Sequence, residues 1–283
     1  MALAVVIAFL VLASLLFHWF SPWWMTPLAS NWGSIDRALI ITMWICAVAF
    51  IVLNLFLAWA IWKYRHKPGN VAHYEPENAT LEKRLTLWTA IGIAGMLAPG
   101  LLAWNEYVTV PKNASVVEAN GEQWRWTFRL PGRDGVLGTA GTAHITSDNP
   151  FGLNPSDPYG RDDILADTSE LHLPVGKPVK MVLRSKDVLH DFYVPEFRAK
   201  MDLVPGIVTY FWMTPTVRGT FDILCAELCG TGHHQMRGTV VVEDDAAYQK
   251  WLSEQMTFGQ MMAQVAQGRT RLAQADSGAG ATR

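Results

Sequence analysis

The sequence predicts a membrane-anchored chain in which two or three N-terminal transmembrane helices precede an all-β domain of sandwich or Greek-key type. Three observations predict it. The first 105 residues hold three long apolar runs, the chain beyond them shifts to strand-like alternation, and turn residues punctuate that second part. A hydrophobic fraction of 50% over 283 residues suits the mixture. It is too apolar for an ordinary soluble domain and not apolar enough for a chain that crosses a membrane many times. The net charge of -2 excludes the basic footprint of a nucleic-acid binder, and no basic cluster with interleaved aromatics is present.

The runs cover residues 2–20, 38–62 and 85–104, and the first two contain no Asp, Glu, Lys or Arg. About 20 apolar residues span a bilayer. Gly and Pro99 in the third run are compatible with a membrane helix. Trp23, Trp24, Trp32, Trp88 and Trp104 stand near run ends, as interfacial belts do. No Lys or Arg precedes the first run and no clear A-x-A site follows it, so a retained helix is favoured over a cleaved signal peptide. Loop 63–84 carries Lys63, Arg65, Lys67, Lys83 and Arg84, whereas loop 21–37 carries only Arg37. The positive-inside rule then puts loop 63–84 in the cytoplasm and everything after residue 105 outside, which in a bacterium is the periplasm.

In residues 123–130, Trp124, Trp126, Phe128 and Leu130 alternate with Arg125, Thr127 and Arg129, the pattern of a strand with one buried face. Pro131, Gly132, Asp134 and Gly135 supply the turn after it. Further strand-like runs are 179–184, 208–213, 220–224 and 238–242. Residues 147–168 are rich in Pro, Gly, Asn and Asp and read as a long ordered surface loop, not a strand. After Asp245 the pattern turns helical and ends in a small polar tail expected to be disordered. The expected division is a helical anchor over 1–105, an exported β-domain over 106–252 and a helical or disordered tail over 253–283. About 140 residues suffice for one such domain with its own core.

The densest chemistry lies between Cys225 and Met236, C-A-E-L-C-G-T-G-H-H-Q-M, which packs two thiols, imidazoles and a thioether into twelve residues. Thiolate and thioether select copper or zinc, and imidazole suits both. Gly230 and Gly232 break any helix, so a loop folded round a metal is expected. Zinc gains little from Met236. A mononuclear blue copper site needs one Cys, two His and an axial Met, which leaves the second thiol spare. Two thiolates can instead bridge two coppers, each then needing one His. Beyond His233, the best candidate for the second imidazole is His190, in S-K-D-V-L-H between two predicted strands. His18 lies in a membrane run and His66 and His73 in the cytoplasmic loop; His144 and His172 adjoin the long loop, and His234 points away if His233 binds. Cys46 reads as a small residue of an apolar run. A disulfide between Cys225 and Cys229 is the remaining alternative in an oxidising compartment.

At these residues the chain resembles subunit II of the haem–copper cytochrome c oxidases. The loop fits that family's C-x-E-x-C-G-x-x-H-x-x-M motif, S-K-D-V-L-H its first histidine motif, M-D-L-V-P-G (201–206) the stretch after it, and G-E-Q-W-R-W (121–126) its aromatic segment. The resemblance covers the second and third apolar runs and the domain to about residue 252. It implies an all-β cupredoxin-like Greek-key domain that holds a dinuclear copper centre of CuA type. It implies further that Cys225 and Cys229 bridge the coppers, that His190 and His233 each bind one, and that Met236 and the Glu227 carbonyl are weak axial ligands. The Glu227 side chain would also help hold a magnesium ion at the subunit interface. Trp124 would be the electron entry point from cytochrome c, although alternation alone cannot separate its role from that of Trp126. Haem in a large catalytic subunit I would be the acceptor, and that partner would reduce O2 to water and translocate protons.

A cationic donor needs an acidic face. Between Tyr107 and Asp245 there are 18 acidic and 13 basic residues, and Asp187, Asp191 and Asp202 lie near the ligands in sequence. One departure concerns proton entry. The family often has a Glu three residues before the Trp that opens the last span; here Leu85 holds that place before Trp88, and Glu82 is the nearest acid. The alternatives to an oxidase subunit are the CuA-bearing subunit of a nitric oxide reductase and a membrane-anchored copper store or chaperone. A quinol oxidase subunit lacks the copper ligands, and nitrous oxide reductase carries a second, His-rich copper site without these membrane runs.

Overall fold

The computed structural model describes residues 1–21, 25–71, 74–166 and 168–280, with no side chains described for 271–280. Trp23, Trp24 and His73, singled out above, lie outside the described residues. The chain divides into two units, residues 1–26 with 33–105, and residues 27–32 with 106–283.

The first unit is helical. Helix α1 spans Ala2–Phe20, α2 Gly33–Lys63 and α3 Ala79–Val108. All three are long and apolar enough to cross a membrane. Their Leu, Ile, Val, Phe and Trp side chains face outward along most of their length, as in Phe17, Trp44, Leu53 and Leu101. Water would not tolerate that display, whereas lipid does. Helices α2 and α3 overrun the predicted apolar runs at both ends, because helical hydrogen bonding continues into the polar flanks. Asn78 caps α3 by accepting the Leu81 amide at 3.0 Å.

The second unit is a sandwich of two five-stranded sheets. Its strands are β1 Ser115–Glu122, β2 Arg125–Leu130, β3 Ile164–Ala166, β4 Glu170–Pro174, β5 Val179–Ser185, β6 His190–Val194, β7 Ala199–Leu203, β8 Thr209–Met213, β9 Gly219–Cys225 and β10 Arg237–Glu243. One sheet runs β3-β2-β1-β5-β8 and the other β4-β10-β9-β6-β7. The pairs β1–β5 and β10–β4 are parallel and the rest antiparallel. Alternate residues fill the core between them: Trp126, Phe128, Met181, Leu183, Phe192, Phe211, Ile223 and Val240 are fully buried.

Several expectations are corrected here. Trp32 is no interfacial belt residue. It is 1% exposed inside the β unit, its ring 5.0 Å from Tyr107 and 4.9 Å from Trp212, with Nε1 donating to the Trp212 carbonyl. It is drawn in because residues 27–32 join the sandwich through Ala29, whose amide donates to the Glu196 carbonyl and whose carbonyl accepts the Thr216 amide. The 147–168 stretch is not strandless, for β3 pairs its Ile164, Leu165 and Ala166 with Leu130, Arg129 and Phe128. Three residues are too short for a period to be read. Helices α4 (Asp245–Glu254) and α5 (Phe258–Gly280) occupy the C-terminal region, so the polar tail expected to be disordered is helical as far as Gly280, in keeping with its Ala and Gln content.

The polar face of β2 is buried rather than solvated. Arg129 is 3% exposed and forms ion pairs with Glu118 on β1 and with Asp163, the latter at 2.7 Å. The second oxygen of Glu118 faces Arg184 at 2.7 Å. Arg129 and Asp163 also bind the Gly138 carbonyl and amide, which ties the 131–169 insertion to the sheet. Removing one partner from such a set strands a buried charge. Arg129→Leu is therefore expected to destabilise the β-domain by about 3–5 kcal/mol and to lower its unfolding temperature by on the order of 10 °C, read by thermal unfolding of the detergent-solubilised chain. A shift under about 2 °C would show that the insertion is held by other contacts.

Candidate metal centre

Three antiparallel strands and one loop build the site. Strand β9 ends at Cys225, β10 begins at Arg237, and the loop between them is closed by the Cys225 amide donating to the Met236 carbonyl at 3.2 Å. Within it the His233 amide donates to the Gly230 carbonyl and the Met236 amide to the His233 carbonyl. The register of β6 on β9, Phe192 opposite Cys225, brings His190 beside the loop from 35 residues away. A side chain at 121 would come within 3.1 Å of the His190 ring, so Gly121 on β1 leaves room for the imidazole.

All six predicted ligands meet in a sulfur-centred cluster. Cys225 Sγ and Cys229 Sγ are 3.8 Å apart, and both thiols are free. His190 Nδ1 lies 3.9 Å from Cys225 Sγ, and His233 Nδ1 lies 3.6 Å from Cys229 Sγ. Met236 Sδ is 3.8 Å from Cys229 Sγ, and the Glu227 carbonyl is 3.2 Å from Cys225 Sγ. His190, Cys225 and Cys229 form the group of potential ligands whose donor atoms all fall within 4.8 Å of one another. His190, Cys229 and Met236 are almost completely buried. His144 and His234 are exposed, and His172 is held between Glu170 and Glu243, so none of them competes.

His190 Nε2 points away from the sulfurs onto Asp187 Oδ1 at 2.8 Å. A metal bound at the cluster would take the Nδ1 lone pair and leave the ring proton on the Asp187 side, whereas in the metal-free chain Nδ1–H can donate to the Cys225 sulfur. Burial opposes ionisation of Cys225, but hydrogen bonding from His190 and from the loop outweighs it and lowers the thiol to about 6. Burial, and then the neighbouring Cys225 sulfur, raise Cys229 to about 12. The metal-free pair thus holds one negative charge at neutral pH.

The aromatic segment resolves into two roles. Gln123 and Trp124 form the tight turn between β1 and β2, so the predicted strand begins at Arg125 and not at Gln123. Trp126 is fully buried under His190, ring centroids 6.4 Å apart, whereas Trp124 is 39% exposed. The Trp124 indole lies on the loop backbone, Nε1 donating to the Cys229 carbonyl at 3.3 Å. A Cβ at Gly232 would stand 2.3 Å from its ring, so the contact requires glycine there. Asp202 is exposed, but Asp191 is only 2% exposed, so the expected acidic face loses that residue. Burial, and then a hydrogen bond with Asp202, raise the Asp191 carboxyl to about 8. Strand β6 turns its side chain inward at the position after His190. Gly121, Gln123 and Gly232 lie within the quoted motifs, but their contacts with His190, the Cys229 carbonyl and Trp124 were not legible there.

Fold and site together define a membrane-tethered cupredoxin-like domain with a paired-thiol loop suited to copper. A family model described as the cytochrome c oxidase subunit II periplasmic domain matches residues 115–244. The alternative cytochrome c oxidase subunit 2 of Bradyrhizobium diazoefficiens is 55% identical over 258 residues, covering 91% of this chain and 93% of that protein. Cytochrome c oxidase subunit 2 of Cereibacter sphaeroides is 28% identical over 242 residues, 81% and 77% of the two chains. The solved periplasmic domain of a Bradyrhizobium japonicum cytochrome oxidase subunit II aligns with 26% identity and a TM-score of 0.38, over 51% of this chain and 95% of its own. The chain belongs to the cytochrome c oxidase subunit II family.

The thiol pair makes a testable statement about the metal-free protein. As pH rises through about 6 one proton leaves, and the second stays until about 12. Only the thiolate alkylates. Iodoacetamide labelling followed by peptide mass spectrometry is expected to modify one loop cysteine with a midpoint near pH 6 and to leave the other intact at pH 9. Simultaneous labelling of both with a midpoint near 8.5, the value of an ordinary free thiol, would refute the coupling.

Proposed function

We propose that this chain is the electron-entry subunit of a cytochrome c oxidase, with the domain over residues 106–252 on the periplasmic side of a bacterial inner membrane and residues 1–105 as its multi-pass anchor. Residues 253–283 form a helical C-terminal extension in this reading. Cys225 and Cys229 would hold two coppers between them, with His190, His233, Met236 and the Glu227 carbonyl as the further donors. One observation carries the reading: each of two sulfurs 3.8 Å apart has its own imidazole nitrogen, at 3.9 and 3.6 Å. A mononuclear blue copper site leaves one thiol idle, and a zinc site has no use for the thioether. A copper pair bound there stores and releases a single electron.

The chain's own residues do the rest. Strands β6, β9 and β10 hold the donors on a folded scaffold, which keeps their positions similar in both charge states. Burial excludes water from the thiols. Trp124, partly exposed in the β1–β2 turn and lying against the ligand loop, is the proposed entry point for electrons from cytochrome c, and haem in the partner subunit is the proposed acceptor. The Glu227 carboxylate, on the same loop, is the proposed magnesium ligand at that interface.

The purified chain is expected to bind two coppers, with the unpaired electron of the oxidised form shared over both nuclei in its paramagnetic resonance spectrum. Cys225→Ser should abolish that signal, and Met236→Leu should keep two coppers with an altered midpoint potential. One copper per chain in the wild type would end this reading. For the entry point, Trp124→Ala should slow reduction by cytochrome c by 10-fold or more with the copper spectrum unchanged. A lost spectrum would make Trp124 a packing residue instead.

A further inference from the structure

A hydrogen-bonded chain that crosses between separate motifs runs from one proposed copper ligand to another. His190 Nε2 donates to Asp187 Oδ1 at 2.8 Å. Asp187 Oδ2 accepts the Gln123 backbone amide at 2.8 Å. The Gln123 side-chain amide then donates to the Cys229 carbonyl at 2.8 Å, beside the Trp124 indole. Three separate segments meet here: the turn before β6, the β1–β2 turn and the β9–β10 loop. Asp187 is fixed further by the Val188 amide at 2.7 Å on the same oxygen that holds His190.

We propose that Gln123 and Asp187 form a strap that positions the copper centre, Asp187 setting the His190 ring and Gln123 holding the Cys229 peptide, so that the two act as one unit. The proposal rests on the copper reading above and deepens it. It also moves Asp187 from a docking carboxylate to a positioning residue. Both of its oxygens are engaged within the domain, and its side chain is only 31% exposed. Through the strap, the turn that carries Trp124 becomes part of the frame of the metal site, although neither Gln123 nor Asp187 supplies a ligand.

The strap has a specific weakness. An amide at 187 offers one acceptor oxygen where the carboxylate offers two, so Asp187→Asn cannot serve His190 and Gln123 together. Gln123→Leu keeps the volume and cuts the other end. Both variants should be made singly and together in the full-length chain, loaded with copper in detergent and challenged with a copper chelator. Each single change is expected to speed copper loss by about 10-fold, the usual scale for partners that orient metal ligands, and to shift the midpoint potential. The double variant should lose copper no faster than the worse single variant, because one strap can be cut only once. Lys186→Gln, which removes a surface pair with Glu122 beside the strap, should leave copper retention unchanged.

A second arm reads the strap without metal. Hydrogen exchange in residues 225–236 of the metal-free chain should quicken equally in both single variants. Should Gln123→Leu fail to fold, Gln123→Asn, which draws the amide back by one methylene, should give the same result. Independent, additive effects in the double variant, or unchanged exchange and copper retention in the singles, would overturn the strap. If the wild-type chain bound no copper pair while the exchange results held, the copper reading would fall and the strap would stand.

Discussion

Two thiol sulfurs held 3.8 Å apart in a nearly dry pocket are the constraint on which the rest of the domain depends. Left to itself a twelve-residue loop with two glycines would not keep two cysteines, a histidine and a methionine converged, because the entropy of ordering it is too large. The strands supply the order. Strands β9 and β10 fix the loop ends through their antiparallel register, and β6 on β9 adds the imidazole from elsewhere in the chain. Close approach then demands small residues at defined points. Gly121 clears the His190 ring and Gly232 clears the Trp124 indole. The site is thus an outcome of sheet register, and the loop motif alone does not account for it.

The same sheets carry an unusual amount of buried charge away from the metal centre. Glu118, Arg129 and Asp163 lie within the sandwich, with Arg184 at its edge. Ion pairs of this kind add little stability over an apolar core, but they penalise any alternative packing that separates them. Here they clamp an insertion of nearly forty residues, rich in turn formers, whose further contacts are an apolar cluster of Phe151, Leu153 and Phe258 and the Phe258 amide donating to the Asp163 carbonyl. The insertion thereby joins β2 to the C-terminal helix α5, which the loop's composition gave no reason to expect.

Much of this was legible in the sequence because the signals were strong and local. Uncharged runs longer than a bilayer declare themselves, and Cys225 to Met236 concentrates soft ligands too densely to be a core. His190 was legible only through its motif. What stayed hidden depends on long-range pairing. Strands β3, β6 and β7 are short or lack alternation, and β2 seemed to have a solvent face because Arg129 is charged, yet its partners come from 11 and 34 residues away. Trp32 looked like a membrane-interface residue because it stands next to a span; the backbone pairing that draws it into the sandwich has no local mark. Trp124 and Trp126 share a parity, and only the position of the turn separates an exposed indole from a buried one.

The burial of Asp191 alters how a cationic electron donor would be attracted. Of the three acids near the ligands, Asp191 is buried, Asp187 has both oxygens engaged by the strap, and Asp202 is exposed. Elsewhere on the surface Asp222, Asp244, Asp245 and Asp148 are each paired with Arg or Lys. Glu122, two residues before Trp124, is likewise paired, with Arg125 and Lys186. On the proposed reading, the domain's excess of five negative charges would act together to concentrate a cation near the domain, screened beyond about 10 Å at 0.1 M salt. Final docking falls to short-range contacts. Two exposed apolar groups adjoin the ligand loop, the Trp124 indole at 39% and Leu228, which is 77% exposed between Glu227 and Cys229. If the proposed donor docks here, charge would govern how often it arrives, and apolar fit at the loop whether it arrives in a pose that delivers an electron.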